Sequence, residues 1–202
     1  MRLTAIKAQV KREGRYSVFV DGKYAFSLSA DGLLRAGLVV GQELSQQELT
    51  EWKRASQDDK AYGLTLDYIA RRMRSEGELR DYWRRKGYVD DFGRTVLPKL
   101  RELGLVDDLE FARRWVANRR LLRSTSARKL QLELKQKYIS DDIVTTVLRE
   151  DETDEQQVLR DLVAKKRRQT RYQDPQKLIA YLARQGFTYS DIKAAIAAEN
   201  DD

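Results

Sequence analysis

Arginine and lysine side chains are the groups of this chain whose types and spacing most clearly suggest a chemistry. A guanidinium group forms two parallel hydrogen bonds with a phosphate or a carboxylate, and clustered cations attract acidic macromolecules. Two clusters lie at the ends of predicted helices, and a third is the densest basic stretch of the chain: Arg71, Arg72 and Arg74; Arg84, Arg85 and Lys86; and Arg113, Arg114, Arg119, Arg120, Arg123, Arg128 and Lys129. These residues are the predicted binding face for nucleic acid or for an acidic protein surface.

Two considerations limit how much of this set can bind a partner. Cations near a helix C-terminus are favourable in any case, by roughly 0.3–1 kcal/mol each. Successive helical residues are turned by about 100°, so the third cluster cannot present every cation on one side. We therefore expect part of it to be only solvated. Charge reversal at Arg119, Arg120 and Arg123 is the test that the sequence suggests.

A fourth cationic run, Lys165–Arg168, is the longest unbroken one. Acidic residues at 150–152 and 154–155 precede it by a few helical turns, so part of its field is offset locally. The sequence favours a solvated helix face for this run, and contact with a partner is the second interpretation.

Paired acidic residues occur at 90–91, 107–108 and 141–142, each directly before an apolar helix start. Aspartate at such a position caps a helix N-terminus, whereas a hard cation needs several convergent oxygens. We therefore predict helix caps and no metal site. The chain has no Cys and no His, which excludes thiolate or imidazole catalysis, disulfides and Cys/His zinc sites. We expect no catalytic residues, no cofactor and no enzymatic activity.

The composition indicates a highly charged protein that does not enter a membrane. Charged residues are 35% and hydrophobic residues 41% of the 202 residues, and the net charge is +7. The charged fraction exceeds the roughly 25% of an average globular protein and suits long exposed helices. The excess of cations is concentrated in residues 56–149, whereas 150–202 carry more acids than bases. No apolar run approaches the roughly 18 residues of a membrane span, and no signal-peptide pattern is present, so we expect a cytoplasmic protein.

A sequence motif that occurs three times indicates how the helices that carry these side chains are arranged. Aligning Leu79, Leu130 and Leu178 gives spacings of 51 and 48 residues. Such a period is typical of stacked helical repeats, in which one unit cannot bury its own apolar face. We predict a mainly α fold, in which three tandem three-helix repeats form an elongated curved array after a small N-terminal β-hairpin or three-stranded element. The predicted limits are 1–55 for the N-terminal element with short helices, and 56–104, 105–150 and 151–202 for the three repeats.

Turn and capping residues set the predicted boundaries in the N-terminal part. Asp21-Gly22 separates two β-like runs and predicts a hairpin, and Leu3–Val10 is predicted as a third strand. Ser45–Glu48 is a capping box that starts one helix. A separate helix is predicted over about 56–74.

Glycine residues predict where the repeated middle helices stop. Gly87 and Gly186 follow these helices, and glycine readily adopts the left-handed conformation that ends a helix. Tyr138 stands at the same position in the second repeat. A left-handed conformation there costs on the order of 1 kcal/mol, so we expect this helix to end differently.

Four stretches of the chain carry a resemblance to a known family. They are Tyr68–Leu79, Arg84–Tyr88, Leu103–Arg113 and Arg184–Phe187, which together extend over roughly residues 57–196. They resemble the RecX family, bacterial regulators of the recombinase RecA. The chain departs from the family pattern at Met73, where the family often has Pro, and at Tyr138.

The resemblance implies three tandem three-helix repeats and a protein that is not an enzyme. It implies binding in the groove of the RecA–DNA filament and modulation, mainly inhibition, of its ATPase, strand exchange and stability in recombinational repair and the SOS response. The expected partners are the RecA filament and, weakly and non-specifically, single- and double-stranded DNA; a monomer is expected. Direct DNA binding, either non-specific or resembling a helix-turn-helix, is the alternative.

Overall fold

The computed structural model describes residues 1–88 and 90–200, which contain one antiparallel sheet and ten α-helices. The sheet has the order β1-β2-β3, with β1 at Leu3–Ala8, β2 at Arg15–Val20 and β3 at Lys23–Ser29. The helices are α1 (Ala30–Ala36), α2 (Gln46–Ala70), α3 (Glu76–Arg85), α4 (Asp90–Glu102), α5 (Asp108–Leu122), α6 (Ala127–Gln136), α7 (Asp141–Glu150), α8 (Glu155–Arg167), α9 (Pro175–Arg184) and α10 (Tyr189–Asn200). A short 3-10 helix, Thr170–Tyr172, lies between α8 and α9.

Helices α2–α4, α5–α7 and α8–α10 are three successive three-helix repeats, so the predicted mainly α repeat fold with a small N-terminal sheet is confirmed. The leucines shared by the three copies of the repeated motif, Leu79, Leu130 and Leu178, are fully buried. None of the described helices is long and apolar enough to cross a membrane. The chain divides into two compact units: Met1–Arg72 with Trp83–Pro98, and Met73–Tyr82 with the described residues from Lys99 onward.

The sheet buries one face against α2. Leu3, Phe26 and Leu28 form a buried apolar cluster with Leu49 of α2. The β2–β3 hairpin turns at Asp21-Gly22, whose φ angles of 48° and 75° are the positive values that the predicted turn requires. Because an isolated hairpin is only marginally stable, the third strand and the helix supply the burial that it needs.

Asp59 of α2 joins the sheet to the helix through a shielded polar contact. Its carboxylate accepts hydrogen bonds from the Arg15 guanidinium at 3.0 Å, from the Ser29 backbone N–H at 2.9 Å and from the Ser29 hydroxyl at 2.5 Å. The side chains of Arg15 and Asp59 are each only 12% exposed. Ser29 also caps α1 by accepting from the Gly32 N–H. One carboxylate therefore positions β2, the start of α1 and α2.

Helix α2 is a single helix of 25 residues, which corrects the prediction of two helices in this region. The capping box at its start forms as predicted: the Ser45 hydroxyl accepts from the Glu48 N–H, and the Glu48 carboxylate accepts from the Ser45 N–H. The residues between the two predicted helices, 52–56, contain neither Gly nor Pro. Nothing in the backbone therefore interrupts the helix there.

Helix α6 ends with the same geometry as α3, although one stops at tyrosine and the other at glycine. Tyr138 has a φ of 62° and Gly87 a φ of 75°. After Tyr138 the Ile139 N–H donates to the Leu134 carbonyl at 3.1 Å, and the corresponding hydrogen bond after Gly87 is 3.0 Å. Both helices thus have the left-handed stop. The prediction that the helix before Tyr138 ends differently is therefore wrong.

A glycine in the preceding repeat makes room for Tyr138. Tyr138 packs on Gly77 in the first turn of α3, where an added Cβ atom would lie 2.0 Å from the Tyr138 Cβ. At the corresponding contact between α6 and the end of α9, the glycine is on the other side. A Cβ atom added at Gly186 would lie 2.3 Å from Ser126 Oγ and 2.8 Å from the Lys129 Cβ. Each contact contains one glycine. Where the glycine lies at the start of the preceding middle helix, as Gly77 does, the residue that ends the next helix can be large; where that start has no glycine, the residue that ends the helix is itself glycine, as at Gly186.

Polar groups join the same two contacts. The Ser75 hydroxyl donates to the Lys137 carbonyl at 2.5 Å, and the Ser126 N–H donates to the Gln185 carbonyl at 3.1 Å. Each serine hydroxyl also accepts from the backbone N–H three residues later in its own helix. The serine before one middle helix is therefore hydrogen-bonded to the C-terminal end of the next middle helix.

The role of Asp59 is tested by Asp59→Ala. This substitution should lower the free energy of unfolding of the N-terminal unit by about 2–4 kcal/mol, because the shielded Arg15 guanidinium and two Ser29 donors lose their acceptor. Chemical denaturation followed by circular dichroism measures the change. Asp58→Ala, at an exposed position of the same helix, is the control and should change stability by less than about 0.5 kcal/mol. Equal effects of the two substitutions would contradict this role.

The glycine–tyrosine contact is tested by a double-mutant cycle. Gly77→Ala should destabilise the protein by about 1–3 kcal/mol, because the new methyl group overlaps Tyr138. In a Tyr138→Gly background the same change should be neutral or stabilising by up to about 1 kcal/mol, since alanine is the better helix former. Urea denaturation of the four proteins gives the coupling energy. Additive effects of the two substitutions would show that the residues do not constrain each other.

Candidate partner interface in the second and third repeats

Arg113 and Arg114 form exposed ion pairs within the protein. The Nε and Nη2 atoms of Arg113 each bind the Glu150 carboxylate at 2.9 Å, and Arg114 Nε binds Glu110 at 2.6 Å. The hydrogen bonds from Arg113 hold the pKa of Glu150 below its ordinary value. Exposed pairs contribute little to stability. These two arginines can therefore exchange their own carboxylate for one on a partner.

Arg120 is held much more firmly, because its side chain is only 13% exposed. Its Nε and Nη2 atoms bind Asp151 at 2.8 and 2.6 Å, and Nη1 donates to the Thr125 carbonyl at 2.5 Å. Burial alone raises the pKa of Asp151, but hydrogen bonds from Thr153 and Arg120 outweigh it and hold that pKa below its ordinary value. Arg120 thus fixes the loop that follows α5.

Arg119 packs against the surface of α6. Its Nε atom binds Glu133 at 2.6 Å, and its guanidinium carbon lies 4.7 Å from the centre of the Trp115 ring. The indole nitrogen of Trp115 donates to the same carboxylate at 2.9 Å. Charge reversal at Arg119 or at Arg120 would place two carboxylates side by side in a shielded site. Substitutions at these two positions therefore test folding rather than binding.

Three predicted cations remain in this region, and they differ in their surroundings. Arg123 and Arg128 are exposed and form no ion pair with any residue that the structure describes. Lys129 donates from Nζ to the Arg184 carbonyl at 2.9 Å and to Gln185 Oε1 at 3.0 Å. Lys129 therefore belongs to the contact between repeats.

The two earlier clusters lie at the ends of α2 and α3. Arg71 and Arg72 directly follow α2, and Arg84–Lys86 lie at the end of α3; all five residues are exposed. Arg74, just before α3, is half-buried. Contact between these residues and a partner stays a prediction.

A cationic groove of about 390 Å³ lies between the loop after α5 and helices α8 and α9, and we call it the basic groove. It is lined by Arg120, Leu121, Leu122, Arg123, Ser124, Leu162, Lys165, Lys166, Tyr181 and Gln185. No acidic side chain is among these lining residues, and the carboxylate bound to Arg120 is already neutralised by it. The basic groove therefore presents a net positive field to solvent.

The sequence favoured a solvated helix face for Lys165–Arg168, whereas Lys165 and Lys166 lie on the wall of the basic groove. The acids that begin α8 are about ten residues away, which is roughly 15 Å along a helix and beyond the ~8 Å screening length at physiological salt. They offset little of the charge there. The sequence did contain a signal for this position of Lys165 and Lys166. They follow the apolar residue Leu162 by three and four positions, and side chains at that spacing on a helix lie beside the packed face.

Lys166 is committed to two tyrosine rings. Its Nζ atom lies 5.2 Å from the ring centre of Tyr172 and 4.6 Å from that of Tyr181. Such cation–π contacts hold an ammonium group against the ring faces. Arg123 and Lys165 are left as the exposed cations of the basic groove with no ion pair in the described part of the chain.

A second groove, of about 570 Å³, runs between α6 and the start of α10, and we call it the α6–α10 groove. Arg128 and Lys129 line it, together with Leu132 and Tyr189, whose side chains are exposed. The structure therefore brings Arg120 and Arg123 together in one groove and Arg128 and Lys129 together in the other.

The paired acids at 107–108 have two different roles. Asp107 Oδ1 accepts from the N–H groups of Leu109 and Glu110 at 2.9 and 3.0 Å, which confirms the predicted helix cap. Asp108 instead accepts from the Glu76 N–H at 2.8 Å, and burial raises the pKa of Asp108. This second carboxylate serves the contact with α3.

The paired acids at 141–142 do not cap a helix in the way that was predicted. Asp141 and Asp142 lie in the first turn of α7, because Ser140 occupies the N-cap position, so the cap prediction is wrong there. Acids in a first turn still interact favourably with the helix dipole. At 90–91 the Asp90 side chain lies outside the described part, and Asp91 binds Arg94. No group of three or more acidic side chains among the described residues could hold a metal ion.

The element order defines the class of protein: a three-stranded N-terminal sheet followed by three tandem three-helix repeats. Curated relatives are similar in sequence along almost the whole chain. Regulatory protein RecX of Bacillus licheniformis is 32% identical over 99% of this chain and 79% of its own length. Regulatory protein RecX of Listeria monocytogenes serotype 4b is 30% identical over 96% of this chain and 74% of its own length. The chain therefore belongs to the RecX family of regulatory proteins, as the resemblance predicted.

Family models and solved structures agree with this assignment. The model of the regulatory protein RecX N-terminal domain matches residues 1–45, and models of the first, second and third RecX three-helix domains match 61–100, 107–148 and 152–196. A crystal structure of regulatory protein RecX has a TM-score of 0.73 at 28% identity, covering 96% of this chain and 98% of that one. RecX from Lactobacillus salivarius shares the fold, with a TM-score of 0.61 at 23% identity over 73% of this chain and 99% of that one.

The Arg120–Asp151 pair is tested by Asp151→Asn, which should lower the free energy of unfolding at pH 7 by about 2–3 kcal/mol. Because the pKa of Asp151 is lowered in the folded protein, its stabilising contribution is present above the unfolded-state pKa near 4 and is lost as the pH falls through the folded value. The difference between wild type and variant should therefore shrink between pH 7 and about 2, as measured by urea denaturation.

Glu152→Gln, at the exposed neighbouring position, is the control for this experiment and should leave both the stability and its pH dependence unchanged. A stability difference for Asp151→Asn that stays constant across the whole pH range would contradict the pairing.

Proposed function

We propose that this protein regulates RecA, mainly as an inhibitor, by binding in the groove of the RecA–DNA filament. Through that contact it modulates the ATPase, strand exchange and stability of the filament in recombinational repair and the SOS response. The observation that carries the proposal is family membership along the whole chain, because relatives named regulatory protein RecX align over 96–99% of it. A sequence without Cys or His suits a protein that acts by binding and not by catalysis.

The second and third repeats offer a surface that suits such a partner. Arg123 and Lys165 of the basic groove, and Arg128 of the α6–α10 groove, are exposed cations with no ion pair among the described residues. They are the residues that we assign to contact with the filament. Arg119 and Arg120 support this contact indirectly, because they hold the surrounding elements in place.

Direct DNA binding is the second candidate function, and the absence of carboxylates from the lining of the basic groove is the observation that favours it. Each phosphate neutralised releases counterions, with a slope of about −0.9 in log K against log salt per contact. Binding through a few cations would therefore be weak, blind to sequence and sensitive to salt. A helix-turn-helix-like mode would instead give a footprint on a defined sequence.

The assignment of the basic groove is tested by combining Arg123→Glu with Lys165→Glu. The pair of substitutions should raise the concentration needed for half-inhibition of the DNA-dependent ATPase of RecA at least fivefold, because a positive groove becomes negative. Both side chains are exposed, so circular dichroism and thermal unfolding should remain unchanged.

Lys99→Glu combined with Arg149→Glu is the matched control. Both residues are exposed cations in the last turn of a helix, and neither lines either groove. This variant has the same net charge and should change inhibition less than twofold. Equal losses in the two variants would reject a specific role of the basic groove, and a folded wild-type protein that has no effect on RecA would reject the regulatory proposal itself.

A further inference from the structure

We propose that the basic groove binds a segment of the partner protein that carries both acidic and apolar side chains, and not a nucleic-acid backbone. This inference rests on the proposed function, since the segment would belong to the protein component of the filament. It specifies the chemistry that the segment needs: carboxylates that meet the cations, and aliphatic or aromatic side chains that meet the apolar rim.

The number of cations argues against a nucleic-acid backbone as the occupant. Arg123 and Lys165 are exposed, and Lys166 is held against two tyrosine rings. Two or three phosphate contacts give a salt slope of only about −2 to −3, compared with the 6–10 contacts of an effective DNA-binding surface. The cations are sufficient, however, for two or three carboxylates of a short peptide segment.

Two leucines supply the part of the groove that phosphates cannot cover. Leu121 and Leu122, at the end of α5, line the basic groove and are 81% and 75% exposed. A phosphate backbone removes little aliphatic surface from water, whereas leucine, methionine or phenylalanine side chains of a peptide do so well. Adjacent exposed apolar side chains bordered by cations are typical of a protein-binding site.

The segment that carries the leucines, at the end of α5, is held in place without a partner. Arg120 binds both the Thr125 carbonyl and Asp151, and these contacts fix the two ends of the segment 120–125. A surface that is ordered before binding loses less conformational entropy when a partner docks. The leucines are therefore presented in a defined position beside Arg123.

The leucine pair separates the two occupants experimentally. Leu121→Ser combined with Leu122→Ser should weaken binding to a RecA filament on single-stranded DNA about tenfold. It should change the affinity for the same DNA without RecA less than twofold. Biolayer interferometry on one immobilised oligonucleotide, with and without RecA, measures both. Val39→Ser combined with Val40→Ser, another adjacent pair of exposed apolar residues, is the control and should leave both affinities unchanged.

Each other outcome overturns a defined part of the account. A leucine variant that keeps its filament affinity overturns the peptide-binding proposal and leaves the proposed function intact. Equal losses on the filament and on naked DNA show that the groove binds nucleic acid, which also overturns it. A wild-type protein that does not bind the filament overturns the proposed function itself.

An array of overlapping RecA peptides, probed with the wild-type protein and the leucine variant, then locates the segment. We expect signal on peptides that combine acidic with leucine or aromatic residues, and loss of that signal in the leucine variant. Signal confined to peptides without acidic residues would contradict the proposed chemistry.

Discussion

The contact between the end of one middle helix and the start of the preceding one is the constraint on which the second and third repeats depend. It occurs twice, where the serine before α3 meets the end of α6 and where the serine before α6 meets the end of α9. The close approach leaves no room for two side chains, so one glycine is needed at each contact. Because the second of these contacts aligns α9 with the loop before α6, it also positions the walls of the basic groove.

Several cations that could bind a partner are used to maintain this packing. Lys137 binds Glu78 at 2.9 Å in the first contact, and Lys129 donates to the end of α9 in the second. Arg120 holds the intervening loop through Asp151. A basic composition is therefore a poor guide to the binding surface of this protein. Of the predicted cations in the second repeat, Arg123 and Arg128 remain exposed without an ion pair to any described residue, and they lie in two separate grooves.

Local signals made much of the fold predictable from the sequence. The Asp21-Gly22 turn, the Ser45–Glu48 capping box and the Asp107 cap each depend on residues within four positions of one another. The left-handed stop at Tyr138 was not predictable in this way, because the glycine that accommodates it lies about sixty residues earlier in the chain. The rule that a left-handed helix stop needs glycine at that one position failed here, because the glycine can instead be the residue that the stop packs against.

The same distinction explains which parts of the candidate site were missed. The partners of Arg119 and Arg120 lie 14 and 31 residues away in the sequence, so no local pattern shows that these cations are engaged. The groove position of Lys165 likewise depends on which face of α8 packs on the other two helices of the third repeat. Residue types predict an acidic partner, whereas the three-dimensional pairing decides which residues are available to it.

Hydrogen exchange of the protein, alone and bound to the RecA–DNA filament, tests most directly the claim that the basic groove is the contact surface. We expect slower amide exchange on binding in the segment 120–125 and at the adjoining ends of α8 and α9, with the exchange of α7 and of the N-terminal sheet unchanged. Slower exchange confined to the sheet or to α7, with the segment 120–125 unaffected, would contradict this claim.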